Sequence, residues 1–180
     1  MHSKPNNALC LLLLLAFLTG CRKSGSSTPA AKKAFIVISC DTAGWIVPCG
    51  CTANQSGGIL RRATFLNSLR TDADVIYADA GGAPAGNSPY QQIKFESILA
   101  GEKLMGCSAH NLGRSELSFG PAKLHEIRDR TNSPFLSANA RDASGALLAD
   151  AVRIVPLAGK RIAFVGLVSS SDTGMAKLHP

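Results

Sequence analysis

The sequence predicts an α/β fold, and three observations point to it. Short β-branched runs alternate with stretches of helical apolar spacing, the runs end in polar or glycine-rich turns, and two final apolar runs flank a tight turn. Such alternation implies a parallel sheet with helical crossovers, followed here by an antiparallel pair. The 180 residues are 46% hydrophobic and 17% charged, which suits one globular domain and excludes a disordered or fibrous chain.

Each element has its own justification. Lys33–Ser39 (KAFIVIS) reads as a buried strand closing on Cys40 and Asp41. The loop over 42–58 holds Trp45, Pro48, Cys49-Gly50-Cys51 and Gly57-Gly58. Ile59, Ala63, Leu66 and Leu69 then fall at helical spacing, with Arg61, Arg62 and Arg70 assigned to the surface. Residues 74–78 form the second strand, ending in Asp79-Ala80-Gly81-Gly82, and a helix over 89–105 gathers Phe95, Ile98, Leu99 and Met105 on one side. A third strand over 107–112 ends in Gly113-Arg114-Ser115-Glu116. Pro121 opens another helix, where its missing N–H costs nothing, with Leu124 and Ile127 inward. Residues 134–138 give a fourth short strand, and 151–157 with 161–168 read as a hairpin around Ala158-Gly159-Lys160. Open α/β sheets carry their sites at the carboxyl ends of strands, so the loops after the first three strands are the places to look.

The amino terminus is read apart from the domain. Lys4 precedes an apolar run over 8–18, shorter than the roughly 20 residues a membrane span needs and suited to a secretory leader. Leu18-Thr19-Gly20-Cys21 resembles the lipobox of bacterial lipoproteins, which implies cleavage before Cys21 and a lipid on that residue. The alternative is ordinary leader cleavage with Cys21 as a spare thiol. The expected organisation is a lipoprotein signal peptide over 1–20, a flexible tether over 21–33 rich in Ser, Gly, Ala and Pro, and a domain over 34–180. The expected location is the bacterial cell envelope, exported and held at a membrane through the Cys21 lipid.

Charge supports that division. Lys4, Arg22, Lys23, Lys32 and Lys33 all precede Ala34, and setting them aside leaves fourteen basic against twelve acidic residues in the domain. A near-neutral domain without aromatic-basic interleaving points to no nucleic acid.

The strand-end loops, in order, resemble the calcineurin-like metallophosphatases, and within them the 5′-nucleotidase branch. The resemblance rests on Asp41 with Gly57-Gly58-Ile59-Leu60-Arg61-Arg62, on Asp79-Ala80-Gly81, on Asn111-Leu112-Gly113 with Glu116 and Phe119-Gly120, on Leu136-Ser137-Ala138-Asn139, and on the stretch 159–167. It implies an α-β-β-α sandwich, of which this chain supplies mainly the amino-terminal half, so the domain reads as incomplete. It also implies a pair of divalent metals that activates water and clamps the attacking and leaving oxygens. Asp41 matches one ligand of that pair. The other expected ligand positions carry Ala43, Gly82 and Arg114, while the positions expected to hold an assisting His and its orienting Asp carry Ser115 and Ser118. Ala and Gly side chains offer no lone pair, and Arg114 brings a fixed positive charge with no acceptor. His110, His125 and His179 match no ligand position. A degenerate site with no cofactor is therefore expected, and the divalent pair belongs to the alternative of a phosphoesterase whose remaining ligands lie in a further half.

Other chemistry is open to the residues that remain. Cys49 and Cys51, one residue apart, suit a strained disulfide, a soft-metal site or plain structural bonds, with Cys40 at the same strand end as a third thiol. A group of exported nucleotidase-like proteins is similar to this chain in its Cys-Gly-Cys segment followed by Gly-Gly and Arg-Arg. Cys107 opens its strand instead of closing it and is excluded from that cluster. Arg114 is a candidate for holding a phosphate or carboxylate, and the backbone at Gly57-Gly58 is a second candidate anion site. The expected function is thus a binding or redox-linked envelope module. Half of a two-sheet fold would leave an apolar sheet face open, so self-association or a partner protein covering it is expected.

Overall fold

The computed structural model describes residues 32–48 and 57–169, together with the backbone of 177–178. The leader, the tether up to residue 31, Cys21, Cys49 and Cys51 lie outside the described residues. Among the described helices none is long and apolar enough to cross a membrane.

Four parallel strands form the main sheet in the order β1 (Lys33–Ser39), β2 (Ala73–Asp79), β3 (Cys107–Asn111), β4 (Phe135–Leu136). In register, Ser39 lies beside Asp79, and Asp79 beside His110, so the carboxyl ends of the first three strands finish level. The crossovers are α1 (Ile59–Arg70), α2 (Pro89–Leu104), and the pair α3 (Arg114–Leu117) and α4 (Pro121–Thr131). β5 (Ala140–Arg141) pairs antiparallel with β8 (Lys177–Leu178), and β6 (Val152–Leu157) with β7 (Lys160–Val165) makes the hairpin expected from the sequence.

Local chemistry sets the helix ends. Ser88 caps α2 by accepting the Gln91 N–H at 3.4 Å, and Pro89 follows it at the first helical position. Pro121 does the same for α4, which stops at Asn132 in the left-handed conformation (φ 53°). At the start of α1, Gly58 (φ 85°) lies so close to the loop that a Cβ there would meet Pro48 N at 2.8 Å, and Ile59 N–H donates to the Ile46 carbonyl. That glycine is required by the approach of the backbone.

The strand period divides the sheet into two unlike faces. Tyr77 joins Leu66, Phe95, Ile98, Leu99, Leu124 and Ile127 in the main core beneath the helices. Ala78, Ala109 and Leu136 face the other way and receive Phe164 of the hairpin. Beside that small cluster Ile38 is 63% exposed, and on the hairpin Ile154 is 52% exposed.

Three details differ from the sequence reading. β1, read as a buried strand, lies at the edge of the sheet and is largely exposed, because only β2 pairs with it among the described residues. Residues 114–117, read as a strand-end loop, form the helical turn α3. Arg62, assigned to the surface, turns inward and is half-buried, because buried acceptors at the strand ends draw its guanidinium under the sheet edge.

Phe95 is completely buried among rings, with Phe119 at 5.7 Å, Phe135 at 6.2 Å and the His110 imidazole at 5.8 Å between centroids. Phe95→Ala is expected to cost ~3–5 kcal/mol in urea unfolding, the range for emptying an aromatic site that cannot collapse. A loss below about 1 kcal/mol would show that the core is not organised around this ring.

Candidate functional site

The loops after β1, β2 and β3 meet in a cleft of about 510 Å³ lined by Cys40, Asp41, Gly82, Arg114, Ser115 and Ser118, with backbone from the glycines nearby. The first two loops are paired directly. Asp41 N–H donates to Gly81 O at 2.9 Å, Ala43 N–H to Gly82 O at 2.8 Å, and Gly44 N–H to Ala83 O at 2.7 Å. These rungs hold Asp41 (φ 50°) and Ala43 (φ 46°) in the left-handed region, which an alanine seldom adopts unless its surroundings impose it. Gly82 fits because it lacks a side chain. A Cβ there would lie 2.3 Å from Asp41 Oδ1 and 3.0 Å from Asp41 Cα.

Beneath the cleft lies a network of buried charge. The Glu116 carboxylate accepts the Ala83 N–H at 2.7 Å, the Gly82 N–H at 3.2 Å and the Ser115 hydroxyl at 3.2 Å. His110, also fully buried, stands between two acids: Nδ1 is 2.7 Å from Glu102 Oε2 and Nε2 is 3.6 Å from Glu116 Oε1. The second distance is beyond hydrogen-bond reach, so that contact is Coulombic. Arg62 approaches from α1. Its guanidinium donates to the Thr42 hydroxyl at 2.7 Å and to the Tyr77 hydroxyl at 3.0 Å, with Asp79 Oδ2 at 3.5 Å and Glu102 Oε1 at 3.7 Å. The Ser39 hydroxyl and the Gly81 N–H complete the shell of Asp79.

Three carboxylates thus face two cations beneath the cleft. Burial pushes Asp79 up to about 6, against the pull of His110, Ser39 and Gly81. Burial would lower His110, but the charge and hydrogen bond of Glu102 and the charge of Glu116 outweigh it and hold the imidazole well above its ordinary value. Burial would likewise raise Glu116, and His110 more than reverses it, leaving that carboxyl below the usual range. Burial pushes up the Cys107 thiol, whose S–H donates to Ala109 O, which favours the neutral thiol over the thiolate.

The sequence-predicted residues divide accordingly. Cys40, Asp41, Gly82 and Arg114 come together in the cleft, with Ala43 on the paired loop beside it. Cys40 is exposed, and Gly57 and Gly58 serve the entry into α1 with positive φ. The sequence reading missed the network formed by Arg62, Glu102 and Asp79. Glu102 carried a signal, since it continues the Phe95, Ile98, Leu99 stripe of α2 and is therefore a charge on an apolar face.

Comparison with known proteins agrees with this architecture. No protein-family model and no curated protein sequence matches the chain. Among solved structures, the 5′-nucleotidase precursor of Thermus thermophilus superposes with a TM-score of 0.67 at 21% identity, over 81% of this chain and 31% of that one. The NAD nucleotidase of Haemophilus influenzae gives 0.64 at 21% identity over 81% and 29%, and the calcineurin-like phosphoesterase YfkN of Bacillus subtilis gives 0.59 at 18% identity over 79% and 53%. The chain shares the fold of these nucleotidase and phosphoesterase structures. The chain spans about a third of the length of the nucleotidases it resembles.

The residues at the positions expected to hold a divalent pair supply one carboxylate, Asp41, which lies where a side chain at position 82 would point, and the loops after β1 and β2 are joined there by backbone hydrogen bonds. Asp79, Glu102 and His110 bring donor atoms within 4.8 Å of one another and are the one described group with a metal-like donor set. There the Glu102–His110 bond and the nearby Arg62 guanidinium already answer the charge.

Removing one member of this network leaves the others buried and uncompensated. Glu116→Ala is expected to cost about 3–5 kcal/mol by denaturant unfolding. The pH dependence has three parts. The raised His110 contributes stability that is complete below the unfolded imidazole value and is lost as pH rises through the folded one. The lowered Glu116 contributes stability present above 4.5 and lost on acidification. The raised Asp79 favours its protonated form, so the fold loses stability as pH climbs from 3.8 towards about 6. Melting temperature against pH checks all three, and Asp79→Asn should flatten the middle part alone.

Proposed function

We propose that the chain is a membrane-anchored lipoprotein of the bacterial envelope, whose metallophosphatase-fold domain binds a small hydroxylated anion without metal-dependent hydrolysis. The observation that carries this reading is the cleft itself. Arg114 lines it where the resemblance expects a metal ligand, and the Asp41 carboxylate occupies the room of the bridging one. A guanidinium pairs with phosphate or carboxylate through parallel N–H donors, while the Asp41 carboxylate is an acceptor for ligand hydroxyls. A phosphorylated sugar or nucleoside monophosphate offers both. The lipobox-like 18–21 segment supports the anchor at Cys21.

Calorimetric titration of the full chain with a nucleoside monophosphate is expected to show binding that EDTA leaves unchanged. Arg114→Ala should weaken that binding by roughly ten-fold or more, the loss typical of a charged hydrogen-bonding group. Cys21→Ser should release the protein from the membrane fraction. Turnover of a phosphomonoester that requires Mn²⁺ and is abolished by Asp41→Ala would overturn the reading in favour of a hydrolase.

A redox-linked role is the second reading, favoured by the exposed Cys40 at the cleft. Thiol titration in graded redox buffers should then show a protein thiol converting within the buffered range. Thiols that stay reduced at every poise would end it.

A further inference from the structure

β1 is an edge strand, and among the described residues nothing pairs with its outer side. Its one edge protection is the exposed Lys33 at its amino end. It is seven residues long without a proline, and its described register with β2 runs from Lys33 to Ser39 without a bulge. Phe35, Ile36 and Ile38 are 40%, 45% and 63% exposed. Its positive charge sits at the beginning, in Lys33, and the preceding Lys32 is tied to Asp74 of its own chain.

The hydrogen-bond parity shows which groups face outward. Ser39 O accepts from Ala80, and Asp41 N–H donates to Gly81, so the odd-numbered residues bond to the β2 side. The N–H and C=O groups of Ala34, Ile36 and Ile38 therefore point to the open edge. An antiparallel pairing of β1 with itself, centred on Ile36, aligns all of these groups at once: Ile36 meets Ile36 of the second copy, and Ala34 meets Ile38. The register is self-complementary, as a closed two-fold interface requires. Lys33 falls opposite Ser39, so no like charges meet across the seam. Side chains follow the same parity. Ile36 and Ile38 of both copies lie on the hairpin face, continuing the apolar trough of Ala78, Ala109 and Leu136, while Phe35 meets Val37 on the helix face.

We propose that β1 is the dimer seam, joining two copies of this chain antiparallel about Ile36 into one continuous sheet. The proposal gives the expected self-association a surface and a register, and is independent of what the cleft binds.

The full chain in mild detergent is expected to sediment as a dimer that dissociates on dilution. Ile36→Pro deletes an N–H that only the seam uses, since proline is tolerated on the outer side of an edge strand, and should yield a folded monomer. Should that variant fail to fold, Ile38→Lys places an ammonium at the seam from an already exposed site and should also give a monomer. Paired residues of this kind have Cα atoms about 5.5 Å apart, within disulfide reach, so Ile36→Cys should form a crosslink that peptide mapping assigns to position 36 of both copies. A monomer at every concentration, a dimer that survives both Ile36→Pro and Ile38→Lys, or a crosslink that never joins the two position-36 sites would each overturn the proposal. Slow amide exchange at Ile36 and Ile38 in a monomer would do so too, by showing the edge already paired within one chain.

Discussion

The Glu116 carboxylate fixes the carboxyl ends of the sheet. It takes the Gly82 and Ala83 N–H groups, which would otherwise be stranded in the turn after β2, and thereby sets the path of that loop. The loop after β1 is then laid onto it by the rungs from Asp41, Ala43 and Gly44. A carboxylate with no access to water can hold this position only if its charge is met. His110 meets it from below and is held in turn by Glu102, with Arg62 beyond. The cleft therefore has its shape because a chain of charges runs from α1 through α2 and β3 to α3.

Such networks contribute little net stability relative to an apolar core of the same volume, yet they are costly to break at any one point. Their value is in specifying one arrangement. The cations here are a guanidinium and an imidazolium, whose number and position are covalently set, whereas a metal's occupancy varies with the solution around it. Asp79 shows the strain in the arrangement: burial raises its carboxyl, and the pull of His110 offsets this only in part while Glu102 adds to it.

Most of the architecture was legible from the residues. The β-branched runs, the apolar spacing in 59–70 and 89–105, and the prolines at 89 and 121 announce elements that the structure places within about three residues. The loops that meet in the cleft were legible too, because they close strands that must lie side by side. The network was less so. Arg62 follows an arginine on a helix with polar neighbours, and only the tertiary position of Tyr77, Thr42 and Asp79 turns it inward. The role of Glu116 was hidden for a similar reason, since its partners are backbone N–H groups that no side-chain pattern reveals. The meaning of Gly82 needed the structure as well: the absent side chain was plain, but that Asp41 fills the space was not.

The two faces of the sheet have different physics, and β1 belongs to both. On the helix face, packing is dense and the polar groups are bound into the network beneath the cleft. On the hairpin face, a small apolar cluster grades into exposed Ile38, Val165 and Leu167. An apolar surface of that kind recognises by area and by backbone pairing, which an edge strand supplies. The strand that offers this edge ends in Cys40 and Asp41, two residues of the cleft wall. Pairing along β1 would order the strand just before those residues, so the backbone that presents Asp41 would be stiffened by the same contacts that join two copies.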